Sequence, residues 1–582
     1  MTLLRGDIAD ELARRVVVAG HAAFGLTLTT DRALIRPSTP GRGADYQSNV
    51  AMGLAKRLRE PSRDVATRLI EHLDVRDMAE PPTVGGPGFV NFALRRDWLA
   101  AQTAGLAADE RIGVPSTAEP VRVVVDLSGP NVAKEMHVGH LRSTIIGDAI
   151  VRLLRHAGHE VIPQNHIGDW GTPFGMLLEH LIDQGWAEPG ANHSIADLGA
   201  CYRQAREKFD RDPDFAGRAR QRVVALQGGD PATLDLWREL VGESERHFSR
   251  VYGRLGVDLA PEDNRGESFY NPVLADLVEE LVHKGIAVRS DGALCVFPGG
   301  FTNRNGEALP LILQKSDGGY TYDTTDLAAL RFRARDLHAD WILYVVGAPQ
   351  RLHFELVFAA GRDAGWLPVR VRHEHVTFGS ILGEDGKVLR TRAGESIKLM
   401  DLLDEAVDRA AAVVAERSDL TADEQAAVAE AVGVGAVKFA DLASDREKDY
   451  HFSWPRMLAL DSKTSVYLQY ANARIQSVLA KAGPVPEGAP IILEDPAERT
   501  LALTVARYPA AFEATVRHLQ PHRLAGYLDE LASAFSTFYE RCPVLKAESD
   551  ALRDSRLALS ALTSRVLVRG LRLLSIEAPD RM

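Results

Sequence analysis

The chain has 582 residues, 45% hydrophobic and 25% charged, which is ample for several packed cores and excludes a disordered or fibrous polymer. Its formal net charge of −12 argues against a non-specific coat for nucleic acid, while leaving open a local basic face for one RNA ligand. Three scattered cysteines, Cys201, Cys295 and Cys542, with no CxxC pair, exclude a disulfide framework and a structural zinc site and fit a reducing compartment. The opening MTLLRGDIADELARR lacks the apolar stretch of a signal peptide and no run of about 18 apolar residues occurs, so a cytoplasmic protein without a membrane span is expected.

Residues 1–112 carry amphipathic helix patterns interrupted by two turn-rich segments, GRGADYQSNVAMGLAKRL from Gly41 and GGPGFVNFAL from Gly85, as in a small α+β domain. The stretch Ser116 to Pro120 reads as a linker. Val121 to Leu127 (VRVVVDL) is continuous and β-branched, as a buried parallel strand is. After it comes a polar turn, PNVAKEMHVGH, and then Leu141, Ile145, Ile146, Ile150, Leu153 and Leu154 at helical spacing up to Gly158, a C′ residue. Glu160 to Gln164 returns as a strand. In such a βαβ unit the strand-to-helix turn offers backbone N–H groups and the helix dipole to phosphate. His137 and His140, three apart at the helix start, can face one phosphate chain; Gly139 leaves room for a flat base; Lys134 supplies a mobile cation.

A charged, mostly helical insertion is expected at about 186–267, followed by strand signals at GALCVFP, WILYVVG and VRHEHVTFG. In SDGGYTYDTTDLAAL, Asp326 opens a helix pattern, where an N-cap role would explain it without any ligand; it can also be the carboxylate for a guanidinium, with Tyr322 four residues earlier as a surface to stack on. Gln350 follows the strand WILYVVG, at the carboxyl end where open α/β sheets bind ligands. Leu382 to Leu399 (LGEDGKVLRTRAGESIKL) reads as a hairpin turning at Asp385-Gly386, or as a mobile basic loop. From about residue 446 the pattern is helical to the end, with five arginines between Arg553 and Arg572.

HVGH is the HIGH signature of class I aminoacyl-tRNA synthetases, and its extended context, PNVAKEMHVGHLRSTIIGD with NHIGDWGTPFGML, resembles the arginyl-tRNA synthetase family. The resemblance covers nearly the whole chain and implies three parts: an N-terminal tRNA D-loop-binding α+β domain (1–112), a class I Rossmann-type catalytic domain (113–445) and an all-helical anticodon-binding domain (446–582). It implies that Gln47, Phe89 and Asn91 touch the tRNA elbow, that Tyr470 and Tyr539 stack on anticodon bases, and that Gly129, Asn131, His140, Tyr322, Asp326 and Gln350 bind L-arginine. ATP falls to Lys134, His137, Gly139 and His140. The KMSKS loop is degenerate here: Lys387, Arg390 and Arg392 are its basic residues, and Lys134 stands in for the missing loop lysine. Only 12 of the 68 basic residues are lysines, so Lys134 and Lys387 do not come from a lysine-rich background.

The implied reaction joins arginine to ATP, with Mg2+ accompanying the nucleotide rather than in a dedicated site, and passes the arginyl group from its adenylate to the 3′ end of arginine tRNA. Catalysis then rests on positioning and charge. The family generally requires tRNA to activate arginine, and a monomer is expected. A related specificity such as the cysteinyl one, for which no zinc-ligand spacing is present, and an RNA-binding paralogue that has lost catalysis are the alternatives. Pro173, Gly129 and Arg390 depart from the family pattern.

Overall fold

A computed structural model describes residues 6–38, 43–132, 134–186, 198–390, 396–415, 420–459, 463–486 and 488–582. The chain forms two compact units: Met1–Ser116 with Ala459–Arg572 and Glu577–Met582, and Thr117–Leu458 with Leu573–Ile576.

In the first unit a four-stranded antiparallel sheet runs in the order Ile35–Pro37, Tyr46–Ser48, Phe89–Phe92, Thr83–Gly85. Helices Ile8–Phe24, Val50–Leu58 and Ser62–Glu71 pack with it, and long helices, among them Ser465–Ala482, Pro521–Arg541 and Asp550–Leu573, make up the rest. N- and C-terminal parts of the sequence are joined by a buried carboxylate: Asp45, 7% exposed, receives both guanidinium nitrogens of Arg499 at 2.7 and 2.6 Å. Asp45 also accepts the amide of Leu94 at 2.7 Å, so its charge is satisfied on both oxygens.

The second unit is built on a four-stranded, all-parallel sheet in the order Arg372–His375, Trp341–Tyr344, Arg122–Asp126, Glu160–Gln164. Chain order runs outward in opposite directions from the two central strands, so a topological switch point lies between Asp126 and Tyr344 at their carboxyl ends. Helix Val138–Ala157 connects the first two strands and ends at Gly158, whose φ of 100° needs glycine. Helices Leu198–Arg211, Pro213–Gln227 and Pro231–Leu255 lie in the insertion region. A separate antiparallel sheet, Ala287–Ser290, Ala293–Val296 and Leu311–Gln314, takes the GALCV strand away from the parallel sheet. One core, including Val124, Leu277, Leu313, Leu330, Ile342 and Trp366, lies between these layers. The unit runs to Leu458, past the expected division at 445/446, because strand Tyr450–His451 pairs with Ile381–Leu382.

Two buried basic side chains pin this unit. Lys438, 1% exposed, donates to the carbonyls of Leu255 and Ser575, and burial pushes its pKa down to about 7. Arg142, 2% exposed, pairs with Asp441 at 3.1 Å and donates to the Lys448 carbonyl at 3.1 Å.

Candidate functional site

A cavity of about 330 Å³ opens at the switch point, lined by residues 126–129, Gly139, Ser143, His166, Tyr322, Asp326, residues 345–347, Gln350, His353, Phe354 and Phe378. The two central strands deliver the first and third groups directly. Ser128 is fixed beneath it: its amide donates to Ser143 Oγ at 2.9 Å, and its hydroxyl meets Tyr252 of the insertion helix at 2.7 Å. Gly129, at φ 61°, donates its amide to Asn165 Oδ1 at 3.0 Å. Its left-handed backbone gives glycine a local reason there.

Beside the cavity, the signature turn is closed by its own histidines. His137 is the N-cap of helix Val138–Ala157, its Nδ1 accepting the Gly139 amide at 3.0 Å; His140 reaches back so that its Nδ1 accepts the His137 amide at 3.1 Å. This is a capping box made from two imidazoles whose rings lie 4.1 Å apart. A Cβ on Gly139 would stand 2.7 Å from the His137 ring, so glycine is required by the histidine itself as well as by any base above it. Burial, and secondarily Lys134, lowers the His137 pKa; burial and the neighbouring His137 push His140 down to about 3. Both rings are therefore neutral, and since each Nδ1 accepts, the hydrogen bonds assign the proton to Nε2.

Lys134 lies three residues before His137, with its ammonium 4.2 Å from the centre of the Tyr202 ring. The basic loop begins at a hairpin in which the Gly383 amide donates to the Lys387 carbonyl at 2.8 Å and Gly386 has φ 73°. Lys387 and Arg390 are exposed there and do not line the cavity; Arg392 lies outside the described residues. Both feet of the loop are tied to the signature. Val138 donates to Ile397 and Leu399 to Met136, at 3.0 and 2.9 Å, while Arg142 holds the Asp441 side chain and the Lys448 carbonyl beside strand Tyr450–His451, which pairs with Ile381–Leu382.

On the opposite wall, helix Tyr322–Arg335 has Thr321 at its N-cap, so Asp326 does not open the helix as its sequence suggested; it sits one turn inside, on the same face as Tyr322. The helix is located by Arg333, which is fully buried and donates to Asp126 Oδ2 and Gln164 Oε1, each at 2.8 Å, at the ends of two sheet strands. Gln350 ends a short 3₁₀ turn, exposed at the rim. Tyr322, Asp326, Gln350 and Gly129 thus converge on one cavity. Asn131 and His140, expected at the same ligand, do not line it: Asn131 is exposed and bridges to Gly168, and His140 is turned into its capping box.

Three further groups carry no motif. His353 donates from Nε2 to Asp326 Oδ2 at 2.6 Å, with its Nδ1 3.4 Å from Asp323. Burial disfavours its charge, but these two carboxylates outweigh it and raise its pKa to about 9. Burial likewise opposes ionisation of Asp326, yet His353, His166 and Arg333 hold its pKa below the ordinary value. Glu267 is pushed up to about 8 by burial, then by Asp326 and Asp169. His353 could have been sought as the residue one helical turn after Gln350; Glu267 and His166 are brought in only by the fold.

The expected RNA contacts fall in the first unit. Gln47 and Asn91 are cross-strand partners, and Phe89 is two residues from Asn91, so all three half-buried side chains share one sheet face. The Tyr470 hydroxyl accepts from Arg474 at 3.0 Å, and the Arg474 guanidinium lies 4.8 and 5.0 Å from the rings of Tyr470 and Tyr539. Pro173 falls in the first turn of helix Thr172–Asp183, where its missing amide hydrogen costs no intrahelical bond.

Three family models match the chain: tRNA synthetases class I (R), catalytic domain, over residues 103–454; the DALR anticodon binding domain over 468–582; and the Arginyl tRNA synthetase N terminal domain over 3–94. An arginine–tRNA ligase of Thermobifida fusca is 53% identical over 99% of this chain and 100% of its own, and that of Synechococcus elongatus is 48% identical over 98% and 99%. Among solved structures, an arginyl-tRNA synthetase of Plasmodium falciparum superposes with a TM-score of 0.85 at 27% identity, covering 100% of both chains. That of Thermus thermophilus gives 0.82 at 25%, covering 99% of this chain and 100% of its own.

Proposed function

From the premise that this chain belongs to the arginyl-tRNA synthetase family of class I, we propose that the switch-point cavity is where L-arginine meets the α-phosphate of ATP. The activity is that of an arginine–tRNA ligase, which activates L-arginine to arginyl-adenylate with release of diphosphate and transfers it to the 3′ end of arginine tRNA. The observation that carries the placement is the convergence of Tyr322, Asp326 and Gln350 on one cavity beside the signature turn.

In this reading the substrate guanidinium lies against the Tyr322 ring and is paired by Asp326. The arginine carboxylate attacks the α-phosphate and diphosphate leaves. His137 and His140 offer neutral Nε2–H donors to the charge that builds up, needing no reorientation because their other nitrogens are fixed to the backbone. Lys134 leaves the Tyr202 face to follow the departing diphosphate, and the basic residues Lys387 and Arg390 supply further positive charge to the polyphosphate. Magnesium enters with the polyphosphate as part of the substrate. We place this chemistry in the cytoplasm by likeness to the arginine–tRNA ligase relatives. Among the described residues no helix is long and apolar enough to cross a membrane.

The test is arginine-dependent exchange of diphosphate into ATP, with and without arginine tRNA. Exchange in the presence of the tRNA, lost in Asp326→Ala through a raised arginine KM, is the expected result. Wild-type arginine KM in that variant would refute the placement of arginine.

A further inference from the structure

His353 is flanked by two carboxylates, each within reach of a different ring nitrogen. An ionised carboxylate can only accept, so satisfying both requires a hydrogen on both nitrogens, and the ring is an imidazolium. Asp323 is itself fixed, its Oδ2 accepting the Ile312 amide at 2.8 Å. The ring is packed against Tyr322 and Phe354, at centroid distances of 5.3 and 5.2 Å. Asp323, His353 and Asp326 thus form a rigid row carrying one net negative charge, the complement of one guanidinium. The outer oxygen, Asp326 Oδ1, has the His166 Nε2 at 3.7 Å, too far for a hydrogen bond.

Resting on the arginine pocket described above, we propose that His353 is a positioning residue for the substrate side chain: clamped between Asp323 and Asp326, it occupies Oδ2 of Asp326 and presents Oδ1 to the incoming guanidinium. The guanidinium therefore engages Asp326 through one oxygen, and its planar orientation is set by Tyr322 and Gln350 rather than by a two-oxygen fork. Without the imidazolium, Asp323 and Asp326, one helical turn apart, repel each other, and Asp326 is free to rotate or to take up a proton.

The geometry also separates the two halves of the ring. Glutamine places an N–H2 where Nε2 lies, toward Asp326, and asparagine places one where Nδ1 lies, toward Asp323. The experiment measures KM for arginine, KM for ATP and kcat by tRNA-supported exchange in the full chain carrying His353→Phe, His353→Gln or His353→Asn, with Asp326→Ala alongside. His353→Phe keeps the ring volume and is expected to raise arginine KM by about tenfold or more, the loss of a hydrogen bond to a charged group, with ATP KM unchanged. His353→Gln is expected to recover most of that loss and His353→Asn little of it. A packing role alone would make the glutamine and asparagine variants equivalent, and that equality, or wild-type arginine KM in His353→Phe, overturns the proposal; the glutamine–asparagine comparison decides it even where phenylalanine prevents folding. Should Asp326→Ala also keep wild-type arginine KM, the arginine pocket itself is misplaced; if only the His353 variants do, the pocket stands and the clamp falls.

Discussion

Replacing His140 by alanine separates two jobs that the structure gives to one ring. Its Nδ1 accepts the His137 amide at 3.1 Å, half of the capping box that starts helix Val138–Ala157. Losing that acceptor costs about 1 kcal/mol of stability, the usual worth of a helix cap. Its Nε2–H is free for the reacting phosphate, and removing one donor of that kind costs about 2.7–4 kcal/mol, roughly 100- to 1,000-fold in kcat. The chemical effect therefore exceeds the structural one, and a small drop in melting temperature should accompany a large drop in rate. Diphosphate exchange at saturating arginine, ATP and tRNA reads the second; thermal unfolding reads the first. His140→Gln keeps an acceptor at the position where capping boxes favour glutamine, so its melting temperature should return to wild type while kcat recovers only in part. Because burial pushes the His140 pKa down to about 3, the wild-type-to-alanine rate ratio should be flat from about pH 6 to pH 8. A rate within threefold of wild type, or a ratio that grows as pH falls, would refute the neutral donor.

Two other perturbations test the frame. Lys438, with a pKa pushed down from 10.5 to about 7, is uncharged in the folded protein over a window where the unfolded chain holds its proton, so stability should climb by up to about 5 kcal/mol between pH 7 and pH 10.5. Lys438→Met should flatten that climb in thermal unfolding against pH, and an unchanged slope would contradict the burial of its charge. Arg474→Ala frees the rings of Tyr470 and Tyr539 from the cation between them and should raise the KM for arginine tRNA several-fold in aminoacylation while leaving arginine KM alone; equal tRNA KM would remove this face from the RNA contact.

The parts of the site that a single stretch of chain builds were legible in the sequence. The strand from Val121, the turn at His137 and the helix ending at Gly158 are local, each specified by its own apolar spacing and caps. A hairpin near Asp385 was legible too, but its turn centres on Glu384 and Asp385, with Gly386 at φ 73° after them, rather than on Asp385-Gly386. Asp326 was assigned to a helix start because its propensity as a cap outweighed, on paper, the helix that Thr321 actually begins. His166, Glu267 and His353 carry no motif and are brought to the site by the fold: the Glu267 pKa near 8 comes first from burial and then from Asp326 and Asp169, and the His353 pKa near 9 from Asp323 and Asp326 outweighing its burial. The insertion contributes Tyr252 beneath the cavity through one buried hydroxyl that no periodicity marks.

The Arg499–Asp45 pair has a consequence for the order in which the protein can mature on the ribosome. Asp45 and its partner belong to one compact unit, but about 340 residues of the other unit are translated between residue 116 and residue 459. At about 5–20 residues per second, the N-terminal sheet emerges roughly 20–70 s before the helices that complete it. During that interval its carboxylate has no guanidinium and helix Arg96–Ala108 lacks helix Pro496–Ala506, which packs on it, while the parallel-sheet unit is synthesised except for its closing segment Leu573–Ile576. Nascent chains stalled near residue 458 should therefore show a protease-resistant middle and a protease-sensitive beginning.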